Sequence, residues 1–99
     1  MASQVRPTAS PEPSRPARTL HHIKSPAVGT FYSAPQPGAA AFVQVGSRIA
    51  PTTVVGIIEA MKIFSEIPAE CTGVITEIRV ENQQSVEYGQ VLFVVDPAG

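Results

Sequence analysis

Cysteine occurs once in these 99 residues, at Cys71, which excludes an intrachain disulfide and a zinc site built from four cysteines. A reducing, intracellular setting is the expectation that follows. No apolar run is long enough to cross a bilayer, and the N-terminus lacks the apolar stretch of a secretory signal, so no membrane partner is expected. Aromatic residues make up only 6% of the chain and Lys and Arg never cluster, which removes the footprint of a nucleic-acid surface. No segment sustains the apolar period of a helix.

What is present divides in two. Residues 1–19 hold Pro7, Pro11, Pro13 and Pro16 among Ser, Thr, Ala and Arg, bury too little to fold, and read as a flexible Pro-rich linker. Arg6, Arg15 and Arg18 against Glu12 leave that linker at +2. Residues 20–99 are aliphatic enough for one small core, and there Lys24, Lys62, Arg48 and Arg79 oppose seven carboxylates, for −3.

An internal repeat organises the second region. A shift of 37 positions aligns Ile49 with Val86, and Val54-Val55-Gly56-Ile57-Ile58-Glu59 with Val91-Leu92-Phe93-Val94-Val95-Asp96. Earlier in each half, Ser25-Pro26-Ala27 and Ile67-Pro68-Ala69 lead to Gly29 and Gly73 and then to a strand-like run. Between these landmarks the first half carries about nine extra residues, within the Pro-, Gly- and Ala-rich stretch from Tyr32 to Ala41, which reads as a projecting loop. Short strands with turns expected at Gly29, Gly46, Gly73 and Gly89 predict an all-β sandwich or flattened barrel with pseudo-twofold symmetry, each half contributing strands to both sheets. The two chain ends are expected to approach each other.

The chemistry concentrates in Glu59-Ala60-Met61-Lys62-Ile63. Two β-type runs, Val54 to Ile58 and Ile63 to Ile67, flank it, so Lys62 is expected at the tip of a hairpin. Most surface lysines are simply solvated. Ala60 and Met61 are poor turn residues, however, and small or flexible apolar side chains beside an exposed amine suit a surface that another protein grips. No base is built in beside Lys62, and a free lysine is mostly ammonium at neutral pH. Acylation of Lys62 is therefore expected to need a separate enzyme.

These residues resemble the biotin carboxyl carrier proteins, from about His22 to Asp96. The acceptor pattern of that family, Ala-Met-Lys and then an apolar residue, preceded by Glu, matches Glu59, Ala60, Met61, Lys62 and Ile63. Ser25-Pro26-Ala27-Val28-Gly29-Thr30-Phe31-Tyr32, the Pro-rich loop and Phe42-Val43 look like the thumb of carriers from multisubunit bacterial and plastid acetyl-CoA carboxylases. The resemblance implies a flattened barrel of two four-stranded antiparallel sheets. It also implies biotin amide-linked to Lys62, and a thumb at about 33–41 (Ser33, Ala34, Pro35, Gln36, Pro37, Gly38 and beyond) leaning toward the biotin ring. Glu59, Ala60, Met61 and Ile63 then form the hairpin that a ligase recognises.

It further implies three partners. A biotin protein ligase attaches biotin, a biotin carboxylase loads it, and a carboxyltransferase passes the carboxyl group to acetyl-CoA for malonyl-CoA and fatty-acid synthesis. The carrier itself does no bond chemistry, and the bacterial cytoplasm or a plastid is its implied location. Three features depart from the family pattern. Ile63 replaces the commoner Met, Ala50-Pro51-Thr52-Thr53 stands where a Gly-Asp turn is usual, and Ala34 occupies a place where a hydroxyl residue can occur. Family carriers have a longer N-terminal part, so the chain reads as a short form or a piece of one.

The rival readings are a carrier for another acyl-CoA carboxylase or decarboxylase, a lipoyl carrier, and an unmodified β-barrel interaction module. Met61 and the thumb argue against the lipoyl carrier. His21 and His22 as a metal pair fail because adjacent strand residues face opposite ways. Cys71 has no spacing to Ser33 or His22 that suggests a nucleophile and base. Glu77, Glu81 and Glu87 alternate with Ile78, Val80 and Val86 as a solvated strand face, so no chemistry is assigned to them.

Overall fold

The computed structural model describes residues 19–98, and all regular structure among them is β. Of the expected linker, all but Thr19 lies outside the described residues. The strands are β1 (His21–Lys24), β2 (Gly29–Tyr32), β3 (Arg48–Ile49), β4 (Val54–Ala60), β5 (Ile63–Pro68), β6 (Gly73–Ile78), β7 (Gln84–Val86) and β8 (Val91–Asp96). β4 and β8 are the repeated runs of Val, Ile, Leu and Phe, residues that pack well on a pleated surface buried on one or both faces.

One sheet has the order β1-β8-β6-β3 and the other β5-β4-β2-β7, with every pairing antiparallel. Replacing β1 by β5, β8 by β4, β6 by β2 and β3 by β7 turns the first order into the second, which is the pseudo-twofold axis stated as topology. The symmetry extends to single hydrogen bonds. Ser25 N–H donates to the Gln90 carbonyl at 2.9 Å, and Ala69 N–H to the Thr53 carbonyl at 2.8 Å. Gly46 N–H donates to Ile75 at 2.7 Å, and Gln83 N–H to Phe31 at 2.6 Å. β1 lies beside β8 with His21 opposite Val95, so the two ends of the described segment meet.

The connections repeat as well. In the turns at 44–47, 50–53, 81–84 and 87–90, the last N–H donates to the first carbonyl, and a side-chain oxygen of the last residue accepts from the first N–H. Gly89 takes φ +82° in its turn, whereas the counterpart turn with Pro51 contains no residue at positive φ. The proline-bearing turn thus keeps the hydrogen bonds of its partner while differing in backbone conformation.

Two expectations need correction. Gly46 and Gly89 lie in turns, but Gly29 and Gly73 instead open β2 and β6. A Cβ on Gly29 would collide with the Glu59 carbonyl oxygen, and one on Gly73 would lie 2.5 Å from that of Asp96, so glycine is needed for close backbone approach. Of the three acids read as one strand face, only Glu77 is in a strand. Glu81 and Glu87 lead turns, and Ile78, at the end of β6, is exposed rather than packed inward.

The inner faces of the two sheets bury Ile23, Phe31, Ile49, Val55, Ile58, Ile67, Ile75, Val86, Leu92, Phe93 and Val95 in one cluster. Phe31 and Phe93 bridge the sheets edge to face, with ring centroids 6.0 Å apart. Gly56 makes room for this contact, since a Cβ there would overlap the Phe31 ring. The outer face of the β5-β4-β2-β7 sheet is left free, and the candidate site is built on it.

Candidate functional site

β4 and β5 pair from Val54 with Pro68 up to Ala60 with Ile63, leaving Met61 and Lys62 as a two-residue turn. Both residues have positive φ, 54° for Met61 and 66° for Lys62. That is the type I′ geometry whose twist matches a hairpin, and which Asn-Gly serves best. A non-glycine residue held there costs roughly 1–2 kcal/mol relative to right-handed backbone. Two such residues in succession at an exposed tip are strain of the kind that collects at functional positions.

Around the turn the apolar side chains point outward. Met61 is 94% exposed, Ile63 67% and Phe64 63%, so the amine stands on an apolar knob that the core does not use. Lys62 is itself exposed and has no hydrogen bond or ion pair to any described residue. The structure thus brings together Glu59, Ala60, Met61, Lys62 and Ile63 as one hairpin.

Glu59 does not reach toward the lysine. It lies opposite Phe64 on β5 and Thr30 on β2, and its Oε1 accepts a hydrogen bond of 2.9 Å from the Tyr32 hydroxyl. That bond, then partial desolvation, then the carboxylate's charge raise the Tyr32 phenol above its ordinary value of 10.0. The Tyr32 ring also leans on Phe64, centroids 6.0 Å apart and tilted by 41°.

β2 ends at Tyr32, and the inserted loop begins at Ser33. Its base is closed by Phe42 N–H donating to the Ser33 carbonyl at 2.9 Å, and it is tied to the second half by Ser33 N–H donating to Asn82 Oδ1 at 3.0 Å. A turn holds its tip, where Ala39 N–H meets the Gln36 carbonyl at 3.1 Å. Ala34, Pro35, Gln36, Pro37 and Gly38 form one wall of a groove of about 480 Å³, and Tyr32, Ile57 and Phe64 form the facing sheet surface. Ser33 sits at the loop's foot outside that wall, as does Lys62 at the hairpin tip.

Sequence reasoning missed Tyr32, Ile57, Phe64 and Asn82 as parts of this surface. For Phe64 a signal existed, because a turn at 61–62 forces it opposite Glu59. Tyr32 and Asn82 arrive by long-range pairing, which local patterning does not carry. At the other end of the fold, His21 and His22 are exposed on the edge strand β1, and partial burial alone raises the Cys71 thiol.

The arrangement offers an amine without a partner among the described residues, on a turn of two positive-φ residues, beside a groove with Tyr32 and Phe64 in its floor. It can present a covalently attached group to other proteins, and an amide-linked biotin fits the donor chemistry and the adjoining groove. A family model described as biotin-requiring enzyme matches residues 21–95. The chain is 51% identical over 78 residues to the biotin carboxyl carrier protein of acetyl-CoA carboxylase of Nostoc sp., covering 79% of this chain and 43% of that one. It is 48% identical over 83 residues to the protein of the same name in Porphyra purpurea, covering 84% and 53%. The Pseudomonas aeruginosa protein of that name is 43% identical over 83 residues, with coverage of 84% and 53%. The chain spans about half the length of these curated relatives or less.

Proposed function

The chain belongs to the family of biotin-requiring enzymes, and on that premise we propose that it is the biotin-carrying domain of an acetyl-CoA carboxylase, with Lys62 as the attachment point. The observation that carries this reading is the turn itself. Within a chain that matches the family, a solvent-facing lysine without a partner among the described residues is held on a type I′ turn made of two non-glycine residues.

Attachment joins Lys62 Nζ to the carboxyl carbon of biotin as an amide. ATP first converts that carboxylate to an acyl-adenylate with release of pyrophosphate, and the amine then displaces AMP and loses a proton. The chain supplies the nucleophile and the surface, and a biotin protein ligase supplies activation and deprotonation, because no described residue hydrogen-bonds or ion-pairs with the amine. When bound, biotin supplies a ureido nitrogen that takes up and releases a carboxyl group. The residues of the chain position and shelter. The paired strands β4 and β5 hold the attachment point, Tyr32, Ile57 and Phe64 offer an apolar floor, and the loop from Ala34 to Gly38 gives a wall.

Biotin carboxylase and carboxyltransferase are the partners this role requires. The carrier contributes reach rather than bond chemistry, raising the effective concentration of its cargo at each centre. Relatives named as carriers come from bacteria and from chloroplasts, which supports either setting.

The test is the intact mass of the chain and of Lys62→Arg after incubation with a biotin protein ligase, biotin and ATP. The expected result is a gain of one biotin less one water in the unsubstituted chain alone. No gain, with the ligase active on a control carrier, overturns the reading.

A further inference from the structure

We propose that Tyr32 is a positioning residue for biotin attachment: its hydroxyl holds the Glu59 carboxylate in the orientation in which the ligase docks on the Lys62 hairpin. This rests on the reading above, that Lys62 is the acceptor, and adds a residue that the hairpin sequence does not contain.

The geometry is specific. Glu59 precedes the turn by one residue, Ala60, and shares the outer sheet face with Tyr32 on β2 and Phe64 on β5. The Tyr32 hydroxyl donates to Glu59 Oε1 at 2.9 Å while its ring rests on Phe64, so one side chain contacts both strands of the hairpin. Glu59 Oε2 has no partner among the described residues and is left to accept from a donor on another protein. A carboxylate whose rotamers are already restricted loses less freedom on docking than a loose one, and Phe64 beside it supplies apolar contact.

The pseudo-twofold axis provides an internal comparison. Asp96 is the counterpart of Glu59 and Thr76 that of Tyr32. Asp96 is only 6% exposed and accepts from the N–H of Ala98, while Thr76 donates to the Val94 carbonyl. In that half the residue in the place of Tyr32 turns to a backbone carbonyl and not to the acid, so a tyrosine hydroxyl on the carboxylate belongs to the half bearing the acceptor lysine.

The experiment is steady-state ligase kinetics with the whole chain as the varied substrate, for wild type, Tyr32→Phe, Glu59→Ala and the double variant, with melting temperatures alongside. Tyr32→Phe is expected to raise KM about 3–10-fold, a fraction of a charge-assisted hydrogen bond, with kcat within about twofold and melting essentially unchanged. Glu59→Ala is expected to raise KM at least as far, and Tyr32→Phe is then expected to add nothing in that background. A KM for Tyr32→Phe within twofold of wild type overturns the inference, as does an equal factor in both backgrounds. If wild type itself takes up no biotin, the carrier reading falls first and this inference with it.

Discussion

Replacing Met61 by glycine should make the domain more stable. Met61 holds φ 54° in the turn and its side chain is 94% exposed, so the substitution removes backbone strain and almost no packing. Left-handed backbone costs a non-glycine residue roughly 1–2 kcal/mol. Against that, the greater freedom of glycine in the unfolded chain takes back about 0.4–1 kcal/mol. The net gain is about 0.5–1 kcal/mol, which for a domain of this size raises the melting temperature by roughly 2–8 °C.

A matched control reverses the sign. Gly46 holds φ +94° with nothing within 4 Å of the place a Cβ would occupy, so Gly46→Ala adds the same conformational penalty without a clash. It should lower the melting temperature by a similar amount. Thermal unfolding of the unmodified chain, followed by circular dichroism at one protein concentration, reads both. If Met61→Gly melts at or below wild type while Gly46→Ala melts lower, the tip is not strained and the reasoning is wrong. The same variant should accept biotin more slowly, since it removes an apolar side chain that the ligase is expected to grip.

Two further outcomes follow from the same structure. Gly29→Ala sets a Cβ against the backbone carbonyl of Glu59, which cannot swing aside as a side chain can, and should cost about 1–3 kcal/mol in urea unfolding. The Tyr32 phenol, raised first by its hydrogen bond to Glu59, should titrate closer to 10.0 in Glu59→Ala, measured by phenolate absorbance. Because the folded value lies above the unfolded one, the native chain binds this proton more tightly. Its contribution to stability is whole below the unfolded value and is lost as pH rises through the folded value, an effect kept small by solvent exposure.

Much of the fold was legible because it is written twice. The 37-residue shift between Val54 to Glu59 and Val91 to Asp96 reappears as β4 and β8, the central strands of the two sheets. The hairpin was legible because β-branched runs flank a tetrapeptide with poor turn chemistry. The glycines were misread where they serve contact rather than turning. Glycine in sequence signals either use, and only the neighbouring carbonyls of Glu59 and Asp96 tell them apart.

The sequence alone determined the all-β class, the two repeated apolar strands and the hairpin that carries Lys62, because those depend on residues close together along the chain. What the tertiary structure decided is everything that joins distant residues on one surface. Tyr32 reaches Glu59 across 27 positions, and Ser33 reaches Asn82 across 49. Pairing of β2 between β4 and β7 creates both contacts and sets the loop from Ala34 to Gly38 over Phe64. Such contacts depend on strand order and register. These are settled by burying Phe31 against Phe93 and their neighbours between the sheets, a collective choice that no local pattern contains.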